Sequence, residues 1–138
     1  MPNPPNLMEL DSNPFGPVIY AYTRAQAVAD GIQVDVTSTA REAGIRFPVF
    51  LTHTVYAAYV TVPPGVTGQD EPGRLWDILW ITRMAIKIAP PFAVRVPVVL
   101  YVRNDNRASR PVRLLAVCSA TDIDDARPAI TIMMPDED

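Results

Sequence analysis

One long stretch of the chain has the start, the period and the end of a helix. Asp70 or Glu71 can accept hydrogen bonds from the first turn, and Pro72 fits that turn because its missing N–H would be unpaired there. The Pro-Pro pair at 90–91 prevents continuation. The pattern therefore predicts a helix over residues 72–89, the longest in the chain.

This helix is apolar on more than one face. The stripe expected to pack on a sheet or on other helices comprises Leu75, Ile78, Leu79, Thr82, Ala85 and Ile86. Outside it lie the apolar residues Trp76, Trp80, Ile81, Met84 and Ile88, interrupted by Arg74, Asp77, Arg83 and Lys87. Either another part of the chain covers this second face, or Trp76 and Trp80, flanked by Arg83 and Lys87, form a recognition ridge for a protein partner.

The segments before the long helix are short. Residues 1–17 are rich in proline and predict a mobile tail, and residues 18–138 predict a single domain. The order predicted within it is a strand at 18–22, a helix from Thr23 to Ala29, a strand at 32–36, a helix closed by Gly44, an apolar stretch at 45–51, a helix at 53–60 capped by Thr52, and a loop at 61–69. Because Pro48 lacks an amide hydrogen, the stretch 45–51 is predicted to be an edge strand or an extended connector.

After the long helix the hydrophobic period changes to two. Strands are predicted near residues 94–102, 111–119 and 129–134, joined by turns at 104–106 and at Thr121–Ala126. Short connections favour an antiparallel meander, in which Pro97 and Pro111 mark a bulge or an edge. The predicted fold class is α+β, with this three-stranded meander packed on the long helix and short strands and helices before it.

Composition and charge limit the kinds of protein that this chain can be. The chain has 138 residues, is 49% hydrophobic and 20% charged, and carries a net charge of −3. It is therefore expected to be globular, without a global electrostatic attraction to nucleic acid or to an anionic membrane. No signal-peptide pattern and no apolar run of about 18 residues is present, so a cytoplasmic location is the expectation. The one cysteine, Cys118, is predicted to be a buried strand thiol.

No catalytic, metal or cofactor motif is recognisable in the sequence. His53 is the one histidine, and its position between two threonines favours a structural or solvated role. Asp122, Asp124 and Asp125 lack the glycine and glutamate of a calcium-binding loop and predict a solvated turn. Gly65 and Gly68 are not followed by the residues of a phosphate-binding loop. We therefore expect no cofactor and no enzymatic activity.

Two weaker groupings of charged residues remain. Arg95, Arg103, Arg113 and Tyr101 are predicted on the outer face of the C-terminal sheet, either simply solvated or as a patch for a phosphate or an acidic partner. The other grouping is Tyr22, Arg24, Arg74 and Asp77, together with Asp30 and Asp35. If the N-terminal segment packs on the start of the long helix, Arg24 is expected to pair with Asp77, or Arg74 with Asp35; such pairs are usually structural but can also hold a small ligand.

Three motifs carry a resemblance. They are Tyr-Thr-Arg-Ala-Gln-Ala at 22–27 with Asp-Gly at 30–31, Arg-Leu-Trp-Asp at 74–77, and Ile-Met-Met-Pro-Asp-Glu-Asp at 132–138. The chain resembles a family of unknown function found in bacterial plasmids, phages and other mobile elements, from which it departs in its proline-rich N-terminus and in Met134, where leucine is usual. The resemblance implies no catalytic residues. It implies a setting in which small accessory proteins often inhibit host defence, including anti-restriction and anti-CRISPR proteins.

The leading hypothesis is a non-enzymatic binding protein that occupies a protein partner through Trp76, Trp80, Arg83 and Lys87, and the resemblance suggests a host defence complex as that partner. Its acidic segments at 122–125 and 136–138 would suit a basic nucleic-acid-binding surface on that partner. The alternative is a protein that sequesters a small nucleotide-like ligand, or a weak enzyme, using Tyr22, Arg24, Arg74 and Asp77. A third interpretation is a homo-oligomer that buries the second helix face.

Overall fold

The structure is a computed structural model that describes residues 22–138. The predicted tail at 1–17 and residues 18–21 of the predicted first strand lie outside this range. The helices are α1 (Arg24–Ala29), α2 (Thr37–Glu42), α3 (His53–Val55), which continues as a π-helical turn (Tyr56–Val60), and α4 (Glu71–Ile88). The strands are β1 (Gln33–Asp35), β2 (Val49–Thr52), β3 (Arg95–Val102), β4 (Arg110–Asp122) and β5 (Asp125–Met133), followed by a 3₁₀ turn (Pro135–Glu137).

The five strands form one mixed sheet in the order β1-β2-β5-β4-β3. Strands β3, β4 and β5 are an antiparallel meander, as predicted. Strand β2 pairs with β5 in parallel and with β1 in antiparallel orientation. Helix α4 packs on this sheet, so the α+β class is confirmed.

The limits of α4 and its buried face agree with the pattern. The Asp70 side chain accepts a hydrogen bond from the Gly73 amide at 2.8 Å, and the helix ends one residue before Ala89. Ile78, Leu79 and Thr82 are fully buried against the sheet side of the core. Within the described part of the chain the Thr82 hydroxyl has no hydrogen-bond partner, so this position costs some of the stability that the burial provides.

The prediction that residues 45–51 form an edge strand is wrong for residues 49–51. Residues 49–52 form β2, which lies between β1 and β5 in the interior of the sheet. The strand tolerates Pro48 because it begins one residue later, and the Pro48 carbonyl accepts a hydrogen bond from the Ile130 amide at 2.9 Å. Residues 45–48 are the extended connector that the proline also allowed. The edges among the described strands are β1 and β3.

The β4–β5 hairpin extends further than expected. The predicted acidic turn Thr121–Ala126 is reduced to residues 123–124, because Asp122 already pairs with Asp125 across the hairpin. The Thr121 hydroxyl donates to the Arg127 carbonyl at 2.7 Å and helps to keep the strands together. The pairing is irregular between Ala120 and Asp122.

Cys118 is exposed, so its predicted burial is wrong. It follows Ala116 on the buried side of β4, as the two-residue period requires. At this end of the sheet α4 gives little cover, and Cys118 lines a small apolar hollow with Phe47, Ile86 and Val94. The pattern identified the correct face of the strand but not the place where the covering helix stops.

The helix predicted at 53–60 changes its winding halfway. The Thr52 hydroxyl caps it, accepting from the Val55 amide at 3.3 Å. Residues 56–60 then form a π-helical turn, whose last carbonyl belongs to Val60. This carbonyl accepts a hydrogen bond from Arg74 of α4 at 3.1 Å, so the wider turn is held against the long helix.

Candidate functional site

The outer face of α4 carries a row of exposed apolar side chains. Trp76, Trp80, Met84 and Ile88 follow one another at intervals of four residues and are exposed by 37%, 41%, 43% and 84%. We call these four residues the ridge. They point away from the buried stripe of the same helix, and the part of the chain that the structure describes does not cover them. Monomeric proteins rarely expose a contiguous apolar row of this kind without a use for it.

The two indoles of the ridge are ordered by their neighbours. Their ring centroids lie 6.3 Å apart with an interplanar angle of 9°, so the rings stack. The Arg83 guanidinium lies 5.3 Å from the centre of the Trp80 ring. Arg83 packs on Gly44, where an added Cβ would come within 2.8 Å of its Nε. The aromatic surface is therefore assembled in advance, which lowers the entropic cost of binding.

Charged side chains of opposite sign occupy the two halves of the same face. Asp77 lies in the first half, and Arg83 and Lys87 lie in the second. Among residues 22–138, none of the three forms an ion pair within 4 Å. Of the three, Lys87 lies in the last turn of α4, where the helix dipole favours a basic side chain. These charges remain available to a molecule that docks on the ridge.

The apolar surface widens at the C-terminal end of α4. Phe92 is fully exposed and has a φ angle of 66°, a conformation that residues with a side chain rarely adopt. Val94 and Phe47 are also exposed. Between Phe47 and Lys87 lies an open hollow of about 230 Å³. Sequence reasoning missed Phe47 and Phe92 as surface residues, and the Pro-Pro-Phe sequence after the helix was the available signal for Phe92.

Arg74 is a structural clamp. Its Nε donates to the Val60 carbonyl at 3.1 Å, one Nη to the Arg103 carbonyl at 2.8 Å and to Gln69 at 3.3 Å, and the other to Asn104 at 2.6 Å. These bonds use four of its five N–H groups. The side chain is buried, and this burial lowers the pKa of Arg74 below its ordinary value. Arg74 therefore joins the π-helical turn, the loop before α4 and the end of β3.

Arg24 has the same role at the other end of the sheet. Its Nε donates to the Thr121 carbonyl at 2.6 Å, and one Nη donates to Gln33 at 2.8 Å and to Thr131 at 2.9 Å. The guanidinium lies 4.3 Å from the centre of the Phe50 ring. Partial burial lowers the pKa of Arg24. The arginine thus fixes α1 to three strands.

The four residues of the predicted ligand site do not come together. Arg24 lies at the Asp122 end of β4, whereas Arg74 lies near the opposite end, where the strand begins at Arg110. At about 3.3 Å per residue the two ends are about 40 Å apart along the strand. Tyr22 donates a short hydrogen bond to Asp30 near Arg24, and Asp77 lines a hollow of about 260 Å³ with Arg74.

The ion pairs expected for the two arginines are also wrong. In place of Asp77, the segment of Arg24 meets Asp122, whose carboxylate accepts hydrogen bonds from the amides of Arg24 at 3.1 Å and Ala25 at 3.0 Å. The Asp35 carboxylate accepts from the Thr37 amide at 2.9 Å rather than from Arg74. The N-terminal segment packs on the β4–β5 hairpin instead of on the start of α4, which explains both differences.

The predicted basic patch on the sheet is only partly present. Arg95, Arg113 and Tyr101 are exposed on the face opposite α4, as the period required. Arg103 lies beyond the strand, where its guanidinium donates to the carbonyls of Thr67 at 2.5 Å and Asp105 at 2.6 Å and holds the loop before α4. Arg95 forms an ion pair with Asp138. Of the three arginines of the predicted patch, Arg95 and Arg113 therefore lie on this face, and Arg103 does not.

Within residues 22–138 no three histidine, cysteine, aspartate or glutamate side chains lie close enough to hold a metal ion. His53 is exposed at the start of α3. No helix in this range has the length and the apolar character needed to cross a membrane. Neither a family model, nor a curated protein, nor a solved structure matches the chain.

Proposed function

We propose that the chain is a non-enzymatic binding protein, and that the ridge of α4 inserts into an apolar groove on a protein partner. The observation that carries this proposal is the exposed, stacked pair of Trp76 and Trp80, held in place by Arg83. Tryptophan and arginine are the residues that most often dominate the binding energy of protein interfaces. A helix that binds in a groove commonly inserts anchor side chains spaced three or four residues apart, and the ridge residues have this spacing.

The charges beside the ridge define the chemistry of the partner. Arg83 and Lys87 require acidic side chains at one end of the groove, and Asp77 requires a basic side chain at the other. Pairing of these charges would fix the direction of the helix in the groove and exclude the reversed orientation. The apolar hollow next to Lys87 and the exposed Phe92 extend the same contact at the C-terminal end.

The resemblance to a family carried on mobile elements supports a more specific form of the proposal. In this form the chain is an accessory protein of a plasmid or phage, and the partner belongs to a host defence system. Inhibition of the anti-CRISPR or anti-restriction type would follow from occupying such a complex. Exposed Asp124 and Asp136 remain available to meet a basic surface on it, whereas Asp122 and Asp125 are already bonded within the chain.

The alternative, sequestration of a nucleotide-like ligand, has no comparable support. Its two arginines lie at different ends of the sheet, and each uses four of its five N–H groups on acceptors of the chain itself. A thermal-shift screen against nucleotides tests this alternative, since a ligand that binds only the folded state raises the unfolding midpoint.

Replacement of one ridge residue tests the proposal. In the variant Trp80→Ala we expect an unfolding midpoint close to that of the wild type, because the indole is substantially exposed. Binding of a captured host protein should weaken by a factor of about 30 or more, which corresponds to about 2 kcal/mol for a central anchor. The measurement is affinity capture from host lysate by the wild type and the variant, followed by titration of the captured protein.

Tyr101→Ala is the matched control, because Tyr101 is an exposed aromatic residue on the opposite face of the sheet. A protein held equally by the wild type and Tyr101→Ala but lost by Trp80→Ala supports the proposal. Equal capture by all three chains contradicts it. A large drop in the unfolding midpoint of Trp80→Ala also contradicts it, since Trp80 would then belong to the core.

A further inference from the structure

Two hollows adjoin one another beside the C-terminal end of α4. One, of about 230 Å³, lies between Phe47 and Lys87, and the other, of about 100 Å³, reaches Cys118 on the sheet. Both are lined by Phe47, Ile86 and Ile130, so together they form one trough. We call its first part the basic hollow and its second part the apolar hollow.

The basic hollow gathers positive charge. It is lined by three cationic side chains, those of Arg46, Arg83 and Lys87, and by no carboxylate of the described residues. Among residues 22–138 none of the three forms an ion pair within 4 Å. Arg24 and Arg74, by contrast, use most of their N–H groups on acceptors of the chain itself. The basic hollow therefore offers cations that the described residues leave unneutralised.

The end of α4 opposes an anion at this place, but the opposition is the weaker effect. The unpaired carbonyls at a helix C-terminus are equivalent to about half a negative charge. The basic hollow sets three full positive charges against this half charge, and one of them, on Lys87, lies in the last turn of the helix. The balance favours a negatively charged group.

The apolar hollow has a different character. Its remaining lining residues are Ala93, Val94, Val96, Ala116 and Cys118. The side chains of Val96 and Ala116 are only 7% and 2% exposed, so its floor belongs to the core. No charged side chain of the described residues lines it. A short apolar group placed there would leave water, which is favourable in proportion to the area buried.

The trough is held in shape by the connector before β2. The Ile45 amide donates to the Ala40 carbonyl at 2.9 Å. The Pro48 carbonyl accepts from the Ile130 amide at 2.9 Å. The two residues between these bonds, which both line the basic hollow, therefore have a fixed backbone. A site that is formed in advance loses less entropy when a ligand binds.

We propose that the trough binds a small amphipathic anion, with the charged head among Arg46, Arg83 and Lys87 and a short apolar chain in the apolar hollow. Small-ligand sites are typically apolar, with a few polar groups that fix the orientation of the ligand. Typical pockets measure about 300 to 1,000 Å³, so hollows of this size favour a short chain. The inference goes beyond the proposed function and does not depend on the partner of the ridge.

Octanoate is the probe for this site. Its matched controls are 1-octanol, which keeps the chain without the charge, and acetate, which keeps the charge without the chain. We expect octanoate to bind the full chain with a dissociation constant of about 1 mM or lower, and each control to bind at least about tenfold more weakly. The ionic strength is fixed at about 0.1 M, because salt screens exposed charges.

Two side chains report on the two parts of the trough. Binding in the basic hollow should change the tryptophan fluorescence, because the Arg83 guanidinium lies against the Trp80 ring. Binding in the apolar hollow should slow the alkylation of Cys118 by iodoacetamide, because the exposed thiol lines that hollow. Both effects should reach half of their maximum at the same octanoate concentration.

Charge-neutralising variants test the role of the cations. The double variant Arg46→Gln/Lys87→Gln is expected to weaken octanoate binding at least about tenfold. Its unfolding midpoint should stay close to that of the wild type, because both side chains are exposed. Arg113→Gln, on the opposite face of the sheet, is the matched control and should bind octanoate as the wild type does.

Several results would overturn the inference. They are a wild-type chain that does not bind octanoate, 1-octanol or acetate that binds as tightly as octanoate, and a folded double variant with unchanged affinity. Octanoate that binds without protecting Cys118 would contradict the position of the apolar chain. None of these results affects the capture experiment with Trp80→Ala, so this inference and the proposed function fail separately.

Discussion

At the scale of single residues, the two arginines that first suggested a ligand site turn out to hold the fold together. Each guanidinium is surrounded by acceptors from the chain itself, and these come from distant segments: Arg24 reaches residues 121 and 131, and Arg74 reaches residues 103 and 104. The sequence identified both arginines as candidates for a shared charged site with Tyr22 and Asp77. It does not show which carbonyls will surround them, because that depends on the pairing of strands far apart in the chain.

Asp122 is the residue through which pH is expected to act on this arrangement. Its carboxylate accepts hydrogen bonds from the amides of Ile123, Ala25 and Arg24, and these bonds hold the pKa of Asp122 below its ordinary value of 3.8. The side chain of Arg127 acts in the same direction on Asp125 and lowers that pKa to about 2. A carboxylate whose pKa is lower in the folded state contributes stability above its unfolded pKa, and this contribution is lost as the pH falls through the folded pKa.

Asp122→Asn is therefore expected to reduce the free energy of unfolding at neutral pH and to make its decline below about pH 4 less steep. Urea unfolding at a series of pH values measures both effects. Asp124→Asn is the matched control, since Asp124 is exposed in the same turn and forms no described hydrogen bond. If the free energy of unfolding of Asp122→Asn declined with acid as steeply as that of the wild type, the hydrogen bonds from the start of α1 to Asp122 would not be a source of the pH dependence.

At the scale of elements, the parts with a strong local pattern were predicted well. Helix α4 has an acidic cap, a proline in its first turn and a proline pair beyond its end, and its limits agree with the structure within one residue. The N-terminus of α1 has a capping box between Thr23 and Gln26, and the helix begins where predicted. The meander follows from alternation and short turns. In these elements the interactions that fix the structure lie close together in sequence.

Elements fixed by distant pairing were predicted poorly. Strand β2 pairs in parallel with β5, which lies about 80 residues further along the chain, and nothing local in either strand indicates this neighbour. Pro48 therefore suggested an edge, although it only precedes the strand. The exposure of Trp76 and Trp80 could not be predicted for the same reason, because it depends on segments distant in sequence. Periodicity shows that α4 has a second apolar face, but only the folded chain shows whether another segment covers it.

Strand β3 is one of the two edges among the described strands, and proline substitutions test this position. The Cys118 amide donates to the Val94 carbonyl, which indicates that the even-numbered residues of β3 form the hydrogen bonds with β4. The N–H groups of the odd-numbered residues, including Val99, point away from β4. Val99→Pro should cost less than about 1 kcal/mol, whereas Val98→Pro removes a bond to β4 and should cost about 3 kcal/mol or more.

Urea unfolding of both proline variants measures the difference, with Val98→Ala as a control for the packing that the buried side chain loses. Pro97, which has the same parity as Val99, already occupies such an outward-pointing position. Equal losses in Val98→Pro and Val99→Pro would mean that a further segment bonds to the outer side of β3.

At the scale of the whole molecule, the fold separates its core from the proposed binding surface. The core lies between the sheet and the inner face of α4, and the ridge lies on the outer face of the same helix. Substitutions on the ridge can therefore change binding with little effect on stability, which is what makes the proposed tests interpretable. The arginine clamps at either end of β4 contribute to the same separation, since they fix the loops without involving the ridge.

The order of the strands predicts how the molecule opens. The Ile130 amide lies in β5, between β2 and β4, and donates to the Pro48 carbonyl, so its hydrogen should exchange only when the whole domain unfolds. The hydrogen bond from the His53 amide to the Ile32 carbonyl joins the far end of β2 to the chain just before β1, a three-residue strand at the edge, and should open locally.

Native-state hydrogen exchange measured by NMR in increasing urea distinguishes global opening at the Ile130 amide from local opening at the His53 amide. The Ile130 amide should show the free energy of global unfolding, and the His53 amide a smaller value that depends less on urea. Equal protection of the Ile130 and His53 amides would contradict a sheet in which strand β1, at the edge of the described strands, opens first. Rapid exchange at Ile130 would contradict the parallel pairing of β2 with β5.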